Sequence, residues 1–185
     1  TPGNPSGHLT PRSELKSFIE SIPSRIMVLV DEAYVDFAEN EADRVGAAPL
    51  IKDHPNVIVT RTFSKIFGMA GMRVGYAMAQ PEVIRTINAH KTNTLTMLST
   101  HAASAALEDH EHTRRSREMV LIGKRYFYDQ LKAMGVEYLP SESSFVMINT
   151  KADSDDIVNK LREEYNVLVG NAKARWGIQG WLRVT

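Results

Sequence analysis

Cysteine is absent from all 185 residues. That excludes a disulfide framework, a thiolate zinc site and a cysteine nucleophile, and it fits a reducing compartment such as the cytoplasm. No Asn-x-Ser/Thr acceptor occurs, since Asn4 is followed by Pro5. No apolar run approaches the roughly 20 residues of a bilayer span, and no signal peptide is visible. Neither sign of charge dominates: 22 Lys and Arg balance 22 Asp and Glu. No global field therefore points to nucleic acid or to an anionic membrane, and the partners to expect are small molecules. What remains is an ordinary globular composition, 43% apolar and 24% charged, long enough to bury a core.

Both ends read as interior sequence. The chain opens in the turn-rich run Thr1-Pro2-Gly3-Asn4-Pro5-Ser6-Gly7 and stops at Leu182-Arg183-Val184-Thr185, a strand pattern with nothing after it. A targeting signal upstream of such a start would not be seen.

Between the ends, apolar strands alternate with amphipathic helices. Thr10-Pro11 reads as a cap and first helical residue, with Leu15, Phe18, Ile19 and Ile22 at helical spacing until Pro23. Ile26 to Val30 is a continuous apolar run, as in a strand buried on both faces, and Val57 to Val59 is a second. Val74 to Ala79 is a third strand pattern, and Pro81-Glu82 and Met97 to Leu107 are helical. A long helix is predicted over 111–134, striped by Val120, Phe127, Leu131 and Met134 and ended by Gly135. Strands follow at Phe145 to Ile148, Val167 to Val169 and Leu182 to Val184, with a helix through Ile157 and Tyr165. The pattern predicts an α/β chain. Residues 1–108 form part of a large domain on a mostly parallel sheet, and 109–185 form a linking helix with a smaller α+β domain.

The chemistry gathers at strand ends. Thr62-Phe63-Ser64-Lys65 follows the second strand, with Arg73 beyond Gly68 and Gly71. An amine there can form a Schiff base, and hydroxyls with a guanidinium can hold a phosphate. Pyridoxal phosphate, an aldehyde with a phosphate arm, asks for both. Asp31 ends the first strand, and ligands of open α/β sheets bind outside the carboxyl ends of strands. A buried aspartate there would keep a pyridine nitrogen protonated. Tyr34 and Asn4 can each reach a ring hydroxyl. Two other readings of Asp31-Glu32 stay open at this point: a carboxylate pair capping a turn, and the metal-binding strand of a nucleotide hydrolase. The second needs a Gly-x-x-x-x-Gly-Lys-Ser/Thr loop, which these residues lack.

The run Arg61-Thr62-Phe63-Ser64-Lys65-Ile66-Phe67-Gly68-Met69-Ala70-Gly71-Met72-Arg73-Val74-Gly75-Tyr76 resembles the signature of histidinol-phosphate aminotransferases and their close relatives, fold-type I pyridoxal-phosphate aminotransferases. Asn4-Pro5-Ser6-Gly7, Asp31-Glu32-Ala33-Tyr34 and Leu182-Arg183-Val184-Thr185 resemble three further motifs of that family, in its order. The resemblance implies that Lys65 is the Schiff-base lysine and proton shuttle, and that Asp31 pairs with the ring nitrogen. It implies that Asn4 and Tyr34 bond the ring hydroxyl, and that Ser64 and Arg73 with Thr62 bind the phosphate. Arg183 would clamp a substrate carboxylate. The activity implied is amino transfer from an amino acid or amino-alcohol phosphate to a 2-oxo acid, with ping-pong kinetics, by a homodimer. It further implies that a longer chain supplies the remaining cofactor contacts.

Two departures bear on substrate. Gly170 stands where these enzymes carry a phosphate-clamping arginine, with Arg175 in the next loop, and Ser144 replaces the family's asparagine ahead of Phe145. Losing a charge-assisted clamp forfeits about 1.5–3 kcal/mol and weighs against histidinol phosphate itself. A decarboxylase of the threonine-phosphate type and an inactive homologue are the rival readings. His110-Glu111-His112 reads as a charged interdomain segment, so no metal is expected, and Arg114, Arg115 and Arg117 as a solvated face. Met69 and Met72 are expected to pack beneath the cofactor loop.

Overall fold

A computed structural model describes residues 1–185 as two compact units. The first comprises Thr1 with Thr10–Glu118; the second comprises Pro2–Leu9 with Met119–Thr185. The division falls inside the long helix, after Glu118, where the sequence pattern suggested 108/109, and the Asn4 turn joins the C-terminal unit.

In the first unit, α1 (Arg12–Ser21) precedes β1 (Val28–Asp31), followed by a one-turn α2 (Glu41–Arg44), β2 (Val57–Thr62) and β3 (Gly75–Met78). Helices α3 (Pro81–His90) and α4 (Met97–Glu108) complete it, with the start of α5 (His110–Ala133). The sheet order is β1-β2-β3. β1 and β2 run parallel, pairing Asp31 with Thr60, so both carboxyl ends lie on one edge. β3 runs antiparallel, pairing Thr62 with Gly75. The sheet is therefore mixed rather than mostly parallel here. The link from β2 to β3 is the Lys65 loop, residues 63–74, which contains no α-helix. It folds back so that Phe63 N–H meets Val74 O, and the two strands it joins run antiparallel.

Ile19, Val30, Ala47, Leu50, Val57 and Val59 form one buried cluster. Each fully buried aliphatic side chain there contributes about 1.5–3 kcal/mol. The expectation that β1 is buried on both faces is not met, because Val30 is buried while Leu29 is 63% exposed. Only the α1 side of the strand is covered within this unit. α1 itself starts one residue late: Pro11 is the cap and makes no side-chain cap bond. Thr10 is held outside the helix, its N–H donating to Thr1 Oγ1 at 2.8 Å.

In the second unit, β4 (Glu137–Leu139), β5 (Val146–Asn149), α6 (Ser154–Tyr165), β6 (Gly170–Asn171), α7 (Ala172–Trp176) and β7 (Trp181–Val184) follow the remainder of α5. The sheet order is β4-β5-β7-β6, antiparallel throughout. Gly135 ends α5 as predicted, at φ +66°, with Val136 N–H returning to Leu131 O at 2.9 Å. Val167 to Val169 is not a strand; pairing begins at Gly170, opposite Arg183. The turn containing Asn4 is held by Glu142 N–H donating to Gly7 O at 2.8 Å. Gly7, at φ +73°, lies so close to Ser141 that a Cβ would overlap its hydroxyl. No helix is long and apolar enough to cross a membrane.

Candidate active site

Lys65 sits in a loop clamped at both ends. Phe63 N–H donates to Val74 O at 3.2 Å, Met69 N–H to Phe63 O at 3.0 Å, and Gly68 N–H to Lys65 O at 2.9 Å. Gly68 makes the reversal at φ +68°, a conformation open to glycine at little cost. Beneath the loop, Phe63, Val74 and Ala103 are buried together, with Phe67, Met69, Met72 and Ala106 packed on them. The methionines therefore pack where the sequence suggested. Ser99 Oγ, from α4, donates to Met72 O at 2.7 Å and ties the loop to its support.

One cavity of about 580 Å³ opens at the carboxyl edge of β1 and β2. Asp31, Thr62, Ser64, Lys65 and Arg73 all line it, so five of the predicted residues converge. Thr62 Oγ1 accepts from Ser64 N–H at 3.0 Å, which orients the hydroxyl pair. Arg73 is left-handed at φ +51° and its Nη1 donates to Ala70 O at 2.9 Å. Tyr34 is buried, its ring centroid 5.1 Å from the Lys65 amine. Asp31 departs from expectation in one respect: it is exposed, not buried, because it terminates the strand at the rim of the cavity. One carboxylate oxygen, Oδ1, accepts from Ala33 N–H at 3.0 Å and so has a fixed direction.

The remaining two predicted residues, Asn4 and Arg183, belong to the second unit and meet each other. Arg183 Nη1 donates to Asn4 Oδ1 at 3.0 Å. The guanidinium also lies 4.9 Å from the Phe145 ring centroid and 5.6 Å from that of Trp176. Its Nε is buried without a hydrogen-bond partner, packed against Gly170. Gly170 is the residue opposite: a Cβ there would lie 3.3 Å from Arg183 Cβ and 3.1 Å from Arg183 O. Arg175 lies 5.3 Å from the Trp176 ring on the adjoining helix.

Arg61, Tyr76 and Thr60 also line the first cavity, and sequence reasoning gave them no role. Arg61 pairs with Glu32, whose carboxylate is buried. Burial by itself would lower the Arg61 pKa, but the Glu32 carboxylate outweighs it and holds the guanidinium above its ordinary value. Burial pushes Tyr76 up, and likewise Asp36, against the opposing pull of Arg61. The signal was the Asp-Glu pair itself: two adjacent residues on a strand point to opposite faces, so only one could face a ligand.

The fold is the fold-type I arrangement. The structure superposes on histidinol-phosphate aminotransferase from Sinorhizobium meliloti, solved in complex with pyridoxal-5'-phosphate, with a TM-score of 0.88 and 25% identity, over all of this chain and 51% of that one. In sequence, histidinol-phosphate aminotransferase of Moorella thermoacetica is 37% identical over 185 residues, and histidinol-phosphate aminotransferase 1 of Dechloromonas aromatica is 40% identical over 185. Those alignments take in 100% of this chain but 47% and 50% of the two relatives, so the chain spans about half their length. The model of the family "Aminotransferase class I and II" matches residues 1–185. With its lysine loop, strand-end aspartate and phosphate-type donors gathered on one edge of a sheet of that fold, this chain belongs to the class I and II aminotransferases.

Proposed function

We propose that the protein is a pyridoxal-phosphate-dependent aminotransferase. Its amino donor would be an amino acid or an amino-alcohol phosphate of the histidinol-phosphate kind, and its acceptor a 2-oxo acid. The observation that carries this reading is the convergence of Lys65, Asp31, Thr62, Ser64 and Arg73 on one cavity. The donor set fits the cofactor: an amine for its aldehyde, a carboxylate for its ring nitrogen, and two hydroxyls with a guanidinium for its phosphate. The volume, about 580 Å³, lies within the range of small-molecule sites.

When bound, pyridoxal phosphate supplies an electron sink for negative charge at the substrate α-carbon. The Asp31 carboxylate holds a proton on the ring nitrogen by opposite charge. Thr62, Ser64 and Arg73 bind the phosphate and fix the ring in register with the lysine. Lys65 Nζ takes the proton from the α-carbon and redelivers it within the same cavity. Tyr34 orients the ring through its hydroxyl, and Asn4 is assigned the same task by family resemblance. Arg183 is assigned the substrate carboxylate by family resemblance, a task suited to its forked donors. Family resemblance adds a homodimer working in the cytoplasm.

Borohydride reduction of the loaded protein followed by peptide mapping tests the reading. Label on Lys65 and a 2-oxo product from an amino-donor screen are expected. An unlabelled Lys65 overturns it, and carbon dioxide released in place of the oxo product would make the enzyme a decarboxylase.

A further inference from the structure

Glu32 is buried behind the cavity, and its partner Arg61, which lines the cavity wall, has no assigned cofactor contact. Glu32 follows Asp31 at the end of β1, and Arg61 precedes Thr62 at the end of β2. Glu32 is 1% exposed. Its Oε2 accepts from Arg61 Nε at 2.9 Å and lies 2.8 Å from Nη2. Its Oε1 accepts from Ala47 N–H. Arg61 Nη2 donates to Val45 O at 3.1 Å, with Arg44 O at 3.4 Å. The turn carrying these carbonyls is wrapped tightly on the pair: Gly46 sits at φ +64°, and a Cβ there would come within 2.3 Å of Glu32 Oε1. Asp36, Tyr76 and Arg44 are the other charged or titratable groups around Arg61, and Arg117 reaches Asp36 O at 2.6 Å.

A buried ion pair is weak evidence for stability, since apolar replacements of similar volume are often neutral or stabilising. What such a pair does supply is a fixed relation between the elements that carry its partners. Here the elements are the two strand ends that present Asp31 and Lys65. Between those ends the parallel ladder adds the Glu32 N–H bond to Thr60 O at 2.9 Å, and beyond it the two backbones diverge. A cofactor ring must be held to within about 0.5 Å to react, more than a diverging backbone alone enforces.

We propose that Glu32 and Arg61 are positioning residues whose buried pair sets the separation between the Asp31 carboxylate and the Lys65 amine. The inference rests on the cofactor reading given above. It concerns residues to which that reading gives no contact with the cofactor.

The test uses the full-length protein loaded with pyridoxal phosphate. Three variants are compared with wild type: E32Q, R61K and the double variant E32L/R61M, which replaces the pair by apolar groups. The readouts are cofactor affinity, the pH midpoint of the absorbance of the lysine–cofactor bond, and the thermal midpoint. The double variant leaves Ala47 N–H and Val45 O without their side-chain partners and should melt several degrees early, but it is expected to stay folded. It should nevertheless bind cofactor about tenfold more weakly, with its pH midpoint shifted by about one unit, because the opposed charges are no longer held at one spacing. R61K, which keeps the charge but loses the fork, should fall between. A folded double variant with wild-type affinity and pH midpoint overturns the inference. Should the double variant not fold, a folded R61K with both values unchanged overturns it equally. An unlabelled Lys65 in the wild-type protein removes the cofactor reading and this inference together, whereas wild-type labelling beside unaffected variants removes this inference alone.

Discussion

Arg183 donates to Asn4 at 3.0 Å across 179 positions of sequence. One bond thus joins the turn near the start of the chain to the last strand, and the guanidinium's Nε stays buried without a partner. Arg183→Lys removes the fork and its stacking on Phe145 while keeping the charge. Loss of a charge-assisted bond of about 1.5–3 kcal/mol should lower kcat/KM for the amino donor roughly 10- to 100-fold. Steady-state kinetics checks this, and cofactor affinity should stay within a factor of about two.

Gly170 faces that arginine across the sheet. In Gly170→Ala the new methyl group meets Arg183 O at 3.1 Å and Arg183 Cβ at 3.3 Å, so the side chain must yield. The expected cost is about 1 kcal/mol in denaturant unfolding, with a raised KM for the donor and an unchanged cofactor spectrum.

Arg73, proposed above to bind the cofactor phosphate, has a left-handed backbone at φ +51°. Arg73→Gly relieves that conformation, worth about 1–2 kcal/mol, against an entropic cost of about 0.5–1 kcal/mol. The cofactor-free variant should unfold no earlier than wild type in urea. Its affinity for pyridoxal phosphate should fall about 10- to 100-fold, as loss of a charged phosphate contact requires. Equilibrium titration and urea unfolding measure the two opposed effects.

A third prediction on stability concerns Lys173, which bridges Asp153 at 3.0 Å and Asp155 at 2.6 Å. The Lys173 ammonium, with the Asp155 N–H and Gln179, holds Asp153 down to about 2 and lowers Asp155 as well. Both carboxylates bind protons less readily folded than unfolded. Their contribution is therefore complete above the ordinary value of 3.8 and is lost as pH falls towards about 2. Lys173 shifts upward, so its share is present below 10.5 and fades in alkali. In Lys173→Met the acid decline of the thermal midpoint should flatten across that acid window.

Sequence alone located the lysine loop, the strand-end aspartate and the carboxyl-edge geometry, because each is written in adjacent residues. It misjudged properties set by distant ones. The exposure of Asp31 depends on what covers the end of β1, which no local pattern encodes. Val167-Leu168-Val169 has strand composition, yet Leu168 is 82% exposed, and pairing shifts to Gly170-Asn171, where the missing Cβ lets Arg183 lie close. β4 is not legible in the sequence, because Glu137-Tyr138-Leu139 offers one half-buried residue between two exposed ones. The Glu32–Arg61 pair was invisible because its partners lie 29 residues apart.

The bonds from Phe63 to Val74 and from Met69 back to Phe63 make the segment bearing Lys65 a braced arch rather than a swinging strap. Any travel of its nitrogen must then come from rotation about the four-carbon tether. Amide exchange at Phe63 and Met69 should accordingly stay slow whether or not pyridoxal phosphate is added.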